Sequence, residues 1–146
     1  MRAQLLTVPI FAGLDEAALN VLWERATEVK AAAGTVVVSE GENGNRFFLI
    51  GAGTVRVCKN IGQPNETELA RLSPGDFFGE MCILETLRRA ASVQAVENAI
   101  LYSLSSLTFH HLYELMPRQH SILIVNIARD LSRRLRRLDE TFAARH

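Results

Sequence analysis

A carboxylate at Glu80 and a guanidinium at Arg89, nine positions on, bracket a short apolar stretch, Met81-Cys82-Ile83-Leu84. Phe78-Gly79 precedes the acid, and a glycine lets the backbone turn where a Cβ would stand in the way. If Glu80 to Leu84 opens a short helix, its first amides lack intrahelical acceptors and carry the positive end of the helix dipole, which favours an anion. A guanidinium beside those amides neutralises a phosphate through paired, charge-assisted hydrogen bonds. A carboxylate in the same pocket cannot bind phosphate; it accepts a hydrogen bond from a sugar hydroxyl. Downstream, Ala90-Ala91-Ser92-Val93-Gln94-Ala95 reads as a strand of mostly small residues, with room for a bulky group against it. The chemistry implied is recognition of a sugar phosphate, not its turnover.

The elements that must position these residues change period twice. Asp15 is an N-cap before Glu16-Ala17-Ala18-Leu19, with Leu14 and Leu19 at staple positions. Leu19, Leu22, Trp23 and Ala26 mark the buried face of that helix, and Pro9 is expected to break a short helix before it. From about Glu28 to Ser105 the runs are short and strand-like: Val36–Val38, Phe47–Ile50, Val55–Val57, Leu69–Leu72 and Ala99–Tyr102. Gly- and Pro-containing turns separate them at roughly 8–12-residue spacing, as in a sandwich or barrel. The fold expected is mainly β, a jelly-roll β-barrel of about eight strands flanked by N-terminal helices and a long C-terminal helix. From about Pro117 the helical period returns. Ile124, Ala128, Leu131, Leu135, Leu138 and Phe142 form an apolar seam at 4-3-4-3-4 spacing. One domain is expected over 1–146: helices to about 27, a β-roll over 28–105, and C-terminal helices over 106–146.

The run from Phe78 to Val93 resembles the phosphate-binding cassette of the cyclic nucleotide-binding domain family, and the resemblance extends over essentially the whole chain. It implies that Glu80 accepts the ribose 2′-hydroxyl and that Arg89 grips the cyclic phosphate. Backbone amides at the start of the short helix would assist, which implicates Gly79, Cys82 and Ala90. The ligand-contact set so implied is Phe78, Gly79, Glu80, Met81, Cys82, Arg89, Ala90 and Ala91. Gly41 and Gly53 stand where the family has turn glycines. Lid candidates over the base are Arg134, Leu135, Leu138 and Phe142. Arg88 departs from the proline common before the phosphate arginine, and Cys82 replaces the usual alanine or serine. Ala90 lacks the hydroxyl of the threonine typical of cGMP selectors, which favours cAMP, with cGMP the alternative.

Composition narrows the class. The chain has 146 residues, 48% apolar and 22% charged, enough for one core and too apolar for disorder. Net charge is zero, although from Arg118 onward seven arginines face Asp130, Asp139 and Glu140, a local surplus of +4. The cluster at Arg133, Arg134, Arg136 and Arg137 is read as a solvated helix face, not as a nucleic-acid contact. The two cysteines, Cys58 and Cys82, fit a reducing cytoplasm and have no metal spacing. No signal peptide or membrane segment is expected. The four histidines, His110, His111, His120 and His146, all lie beyond the β region, which opposes a cupin-type metalloenzyme with several His converging from barrel strands. Two cysteines cannot supply an all-Cys iron–sulfur cluster, so no cofactor or metal is expected. The readings carried forward are a regulatory module with no enzymatic step and an interaction domain of the same fold without ligand. The Leu131–Phe142 seam is either a homodimer interface or a lid, and the effector is unknown.

Overall fold

The computed structural model describes residues 8–84 and 87–144. Pro9 opens a 3-10 turn, Pro9–Phe11, because its fixed φ and missing N–H suit a first helical position, and the short helix expected before it falls outside the described residues. Helix α1 (Glu16–Glu24) starts at Asp15, whose side chain accepts from the Ala18 amide. Ten strands follow: β1 (Thr27–Ala31), β2 (Val36–Val38), β3 (Asn43–Gly44), β4 (Arg46–Ala52), β5 (Val55–Lys59), β6 (Thr67–Leu72), β7 (Phe77–Phe78), β8 (Leu87–Arg88), β9 (Ser92–Ala95) and β10 (Ala99–Ser105). Helices α2 (Ser106–Leu115) and α3 (Pro117–Ala144) complete the chain.

Eight strands form two antiparallel four-stranded sheets, β1-β10-β4-β7 and β2-β9-β5-β6, and β3 pairs with β8 as a separate ribbon. The architecture is the jelly roll expected, with helices at both ends of the chain. Strand β4 explains its own sequence. It is buried on both faces, so Phe47-Phe48-Leu49-Ile50 runs apolar without a polar alternation. Phe47 and Leu49 point to a helix-side core with Phe77, Tyr102, Phe109, Leu123 and Ile127. Phe48 and Ile50 point the other way, into the core between the sheets with Phe78, Val93 and Leu101. Phe47 contacts the rings of Phe11, Phe77 and Phe109, with centroids 5.6–5.9 Å apart.

Helix α3 is fixed to this body by its first half. Leu123 and Ile127 are fully buried, and Asn126 Nδ2 donates to the carbonyls of Ile10 and Ala12 at 3.0 and 2.7 Å. Since Phe47 joins the N-terminal turn, the sheet and α2, Phe47→Ala should lower unfolding free energy by about 3–5 kcal/mol in urea denaturation.

Candidate functional site: a cavity between the roll and helix α3

The strand pair β4–β7 delivers the site. Phe78 stacks on Phe48 at 4.8 Å, and the next residue, Gly79, adopts φ 80° and ψ 16°. A Cβ on Gly79 would run into the Arg46 carbonyl and lie 2.8 Å from Arg89 Nη1. Glycine is therefore required twice over, by the left-handed backbone and by the guanidinium beside it. Glu80–Ile83 then forms the short helix expected, as a 3-10 turn tighter than an α-helix. The Cys82 amide donates within it to the Gly79 carbonyl at 3.1 Å, so Glu80 and Met81 carry the amides without intrahelical acceptors.

Arg89 is held from three sides. Its amide donates to the Glu42 carbonyl at 2.7 Å, and its own carbonyl accepts from Gly41 at 2.8 Å. Its Nη2 donates to the Arg46 carbonyl at 2.8 Å. Burial lowers the Arg89 pKa from its ordinary value, against the opposing pull of Cys82, Glu42 and Glu80. Burial likewise pushes the Cys82 thiol up to about 12, while the Arg89 charge works the other way. Cys82 is thus a protonated, inert packing residue at neutral pH.

These residues surround a cavity of about 910 Å³. Phe78, Gly79, Glu80, Met81, Cys82, Arg89, Ala90 and Ala91 all line it, together with an apolar wall from Val57, Ala70 and Leu72. Asp130, Arg133, Arg134 and Arg137 of α3 line its helix side. Glu80 is only 4% exposed, and its Oε1 accepts from Arg134 Nη1 at 2.7 Å. Arg134 Nε also lies 3.1 Å from Asp130 Oδ2, so that buried oxygen has an ionic neighbour but, among the described residues, no hydrogen-bond partner. The guanidinium sits 5.7 Å from the centre of the Phe77 ring. Of the lid candidates, Arg134 alone is brought to the cavity. Leu135 and Leu138 are 63% and 66% exposed, and the side chain of Phe142 lies outside the described residues.

The reason is rotational. At 3.6 residues per turn, Leu123, Ile127, Asp130, Arg134 and Arg137 share one stripe, whereas Leu135 and Leu138 are rotated from its centre by about 120° and about 60°. The inward stripe begins apolar over the core and becomes charged over the cavity. That change of character hid Asp130, Arg133 and Arg137 from a search for apolar periodicity. The i, i+4 pair Asp130–Arg134 and the arginine surplus were the available signals. The apolar wall of Val57, Ala70 and Leu72 carried no signal beyond ordinary strand composition. His110 and His111 lie on α2 and His120 on α3, away from the strands.

Residues 28–115 match the family model described as the cyclic nucleotide-binding domain. The chain belongs to that family. It is 31% identical over 131 residues to the cyclic AMP receptor protein of Thermus thermophilus, covering 90% of this chain and 59% of that protein. It is 36% identical over 98 residues to a cGMP-dependent protein kinase of Drosophila melanogaster, covering 66% of this chain and 13% of that one. The chain thus spans less than two thirds of the length of each of these relatives. The crystal structure of the Thermus thermophilus catabolite activator protein superposes with a TM-score of 0.77 at 30% identity, over 92% of this chain and 62% of that one. Among the described residues no helix is long and apolar enough to cross a membrane.

Substitution tests the glycine's double constraint. Gly79→Ala should destabilise the fold by more than about 1 kcal/mol, measured by urea denaturation, whereas Gly62→Ala, whose Cβ would meet nothing within 4 Å, isolates the backbone component alone.

Proposed function

We propose that this domain is a regulatory module that binds a 3′,5′-cyclic nucleotide, with cAMP favoured over cGMP, and performs no catalytic step. The observation that carries the reading is the convergence of Arg89, Glu80 and the free amides of Glu80 and Met81 on one cavity. Arg89 and the amides receive the cyclic phosphate. Glu80 receives the ribose 2′-hydroxyl on Oε2, its Oε1 being engaged by Arg134. The base lies along Val57, Ala70 and Leu72, beneath α3. Ala90 offers no hydroxyl for a guanine, which supports cAMP. Relatives named for cAMP and for cGMP both support the ligand class.

The signal passes through α3. Because Arg134 reaches from that helix to the acid that holds the ribose, a bound ligand alters what holds the helix down, and populations shift according to differential affinity. The outer stripe with Leu135 and Leu138 is free for a second copy of the chain, a dimer contact compatible with this motion. The domain acts in the cytoplasm, where cyclic nucleotides are made, and its effector lies elsewhere.

Isothermal titration with cAMP and cGMP tests the ligand. Arg89→Ala should weaken binding by about 2–5 kcal/mol, the loss typical of a broken buried charge contact; unchanged affinity would remove Arg89 from the phosphate. Glu80→Gln should weaken cAMP but leave 2′-deoxy-cAMP nearly unaffected, read in the same titration. Equal losses for the two ligands would mean that Glu80 does not meet the 2′-hydroxyl.

A further inference from the structure

Five arginines and three acids line the cavity, a surplus of +2. The acids are already committed. Glu80 and Asp130 meet Arg134, and Asp76 accepts from the Ser73 amide. Arg89 is the cassette's phosphate residue, and Arg88 donates to the Gly41 carbonyl. Arg133 and Arg137 remain, and among the described residues neither has a carboxylate within ion-pair reach. Two arginines on the roll are treated differently: Arg56 meets Glu66 and Glu68, and Arg71 meets Glu68. Arg133 and Arg137 stand one turn apart, about 6 Å along the axis of α3, on the side facing the cavity. Two guanidinium groups rooted at that spacing suit a second anionic group in the cavity.

A cyclic mononucleotide brings one negative charge, and Arg89 with the cassette amides answers it. The cavity, at about 910 Å³, also lies near the upper end of the roughly 300–1,000 Å³ common for small-molecule sites. We propose that the cavity accepts a 3′,5′-linked cyclic dinucleotide, with one half on Glu80 and Arg89 and the second phosphodiester on Arg133 and Arg137. Each half of such a ligand keeps a 2′-hydroxyl and a singly charged phosphodiester, so the cassette meets the chemistry it is built for. The two net positive charges are then matched by two negative ones. This inference rests on the cassette reading above, and it extends the ligand class of the same site.

The test is calorimetric titration of the intact chain with cyclic di-GMP, cyclic di-AMP and cAMP. The variants are Arg133→Gln/Arg137→Gln and, separately, Arg89→Ala; Arg133 and Arg137 are both exposed, so the double variant should fold. At least one dinucleotide should bind, and the double variant should weaken it by about tenfold or more, as loss of charge-assisted hydrogen bonds requires. In the same variant cAMP affinity should move by less than about threefold, as for exposed charges. Arg89→Ala should weaken both ligands. Binding of cAMP with no dinucleotide heat would overturn the inference and leave the cassette reading intact. Equal losses of both ligands in the double variant would also overturn it, reducing the two arginines to general electrostatic attraction. No heat with any of the three on folded, ligand-stripped protein would sink the cassette reading and this inference together.

Discussion

A guanidinium half-withdrawn from water must be held by groups that do not cancel its charge, and much of the architecture follows from how Arg89 meets that requirement. Neutral backbone groups solve the problem: Arg46 supplies its carbonyl to the side chain, and the Glu42 carbonyl and Gly41 amide fix the backbone on either side. A carboxylate partner would neutralise the arginine and remove its attraction for an anion. A neutral dipole stabilises the buried charge and leaves it available. The ribbon β3–β8 and the turn at Gly41 exist at this point to bring those carbonyls into reach. Gly79 is the complement of the same arrangement, an absent side chain that leaves space for the guanidinium.

Glu80 faces the converse problem, a carboxylate almost wholly buried in the lining of the same cavity as Arg89. Its charge is answered from outside the cassette by Arg134 on α3, which also touches Asp130 and the Phe77 ring. The consequence is a physical link between the part of the site formed by the roll and the helix that covers it. Breaking a pair of this kind leaves a buried charge without compensation, so the helix cannot leave the site at no energetic cost. Any ligand group that satisfies Glu80 changes that cost.

The roll was legible in the sequence because short β-rich runs and glycine turns alternate at a regular spacing, and because Asp15 is an unambiguous cap. The cassette residues were legible for a different reason: they are contiguous, so their grouping needs no tertiary information. What required the structure was long-range. No local signal links Arg46 to Arg89 or Glu80 to Arg134, each pair more than forty residues apart. The seam on α3 misled in an instructive way. Apolar periodicity identifies the stripe that avoids water, and over Leu135 and Leu138 that stripe is not the one turned toward the roll. The inward stripe must be charged where it faces a polar cavity, so hydrophobicity alone selects the wrong side there.

Asn126 gives the last helix a mechanical character. Its paired bonds to the Ile10 and Ala12 carbonyls, with Leu123 and Ile127 sunk in the core beside it, make a fixed point from which the distal half projects as an arm. From Asn126 to Ala144 the arm is about 27 Å long. A tilt of about 10° at the fixed point would carry its tip on the order of 5 Å by that helix geometry. A small adjustment beside Glu80, close to that point, is thereby amplified at the far end, where another surface can read it. The same bonds attach the Pro9–Phe11 turn to that point, so the turn and the last helix share one bearing.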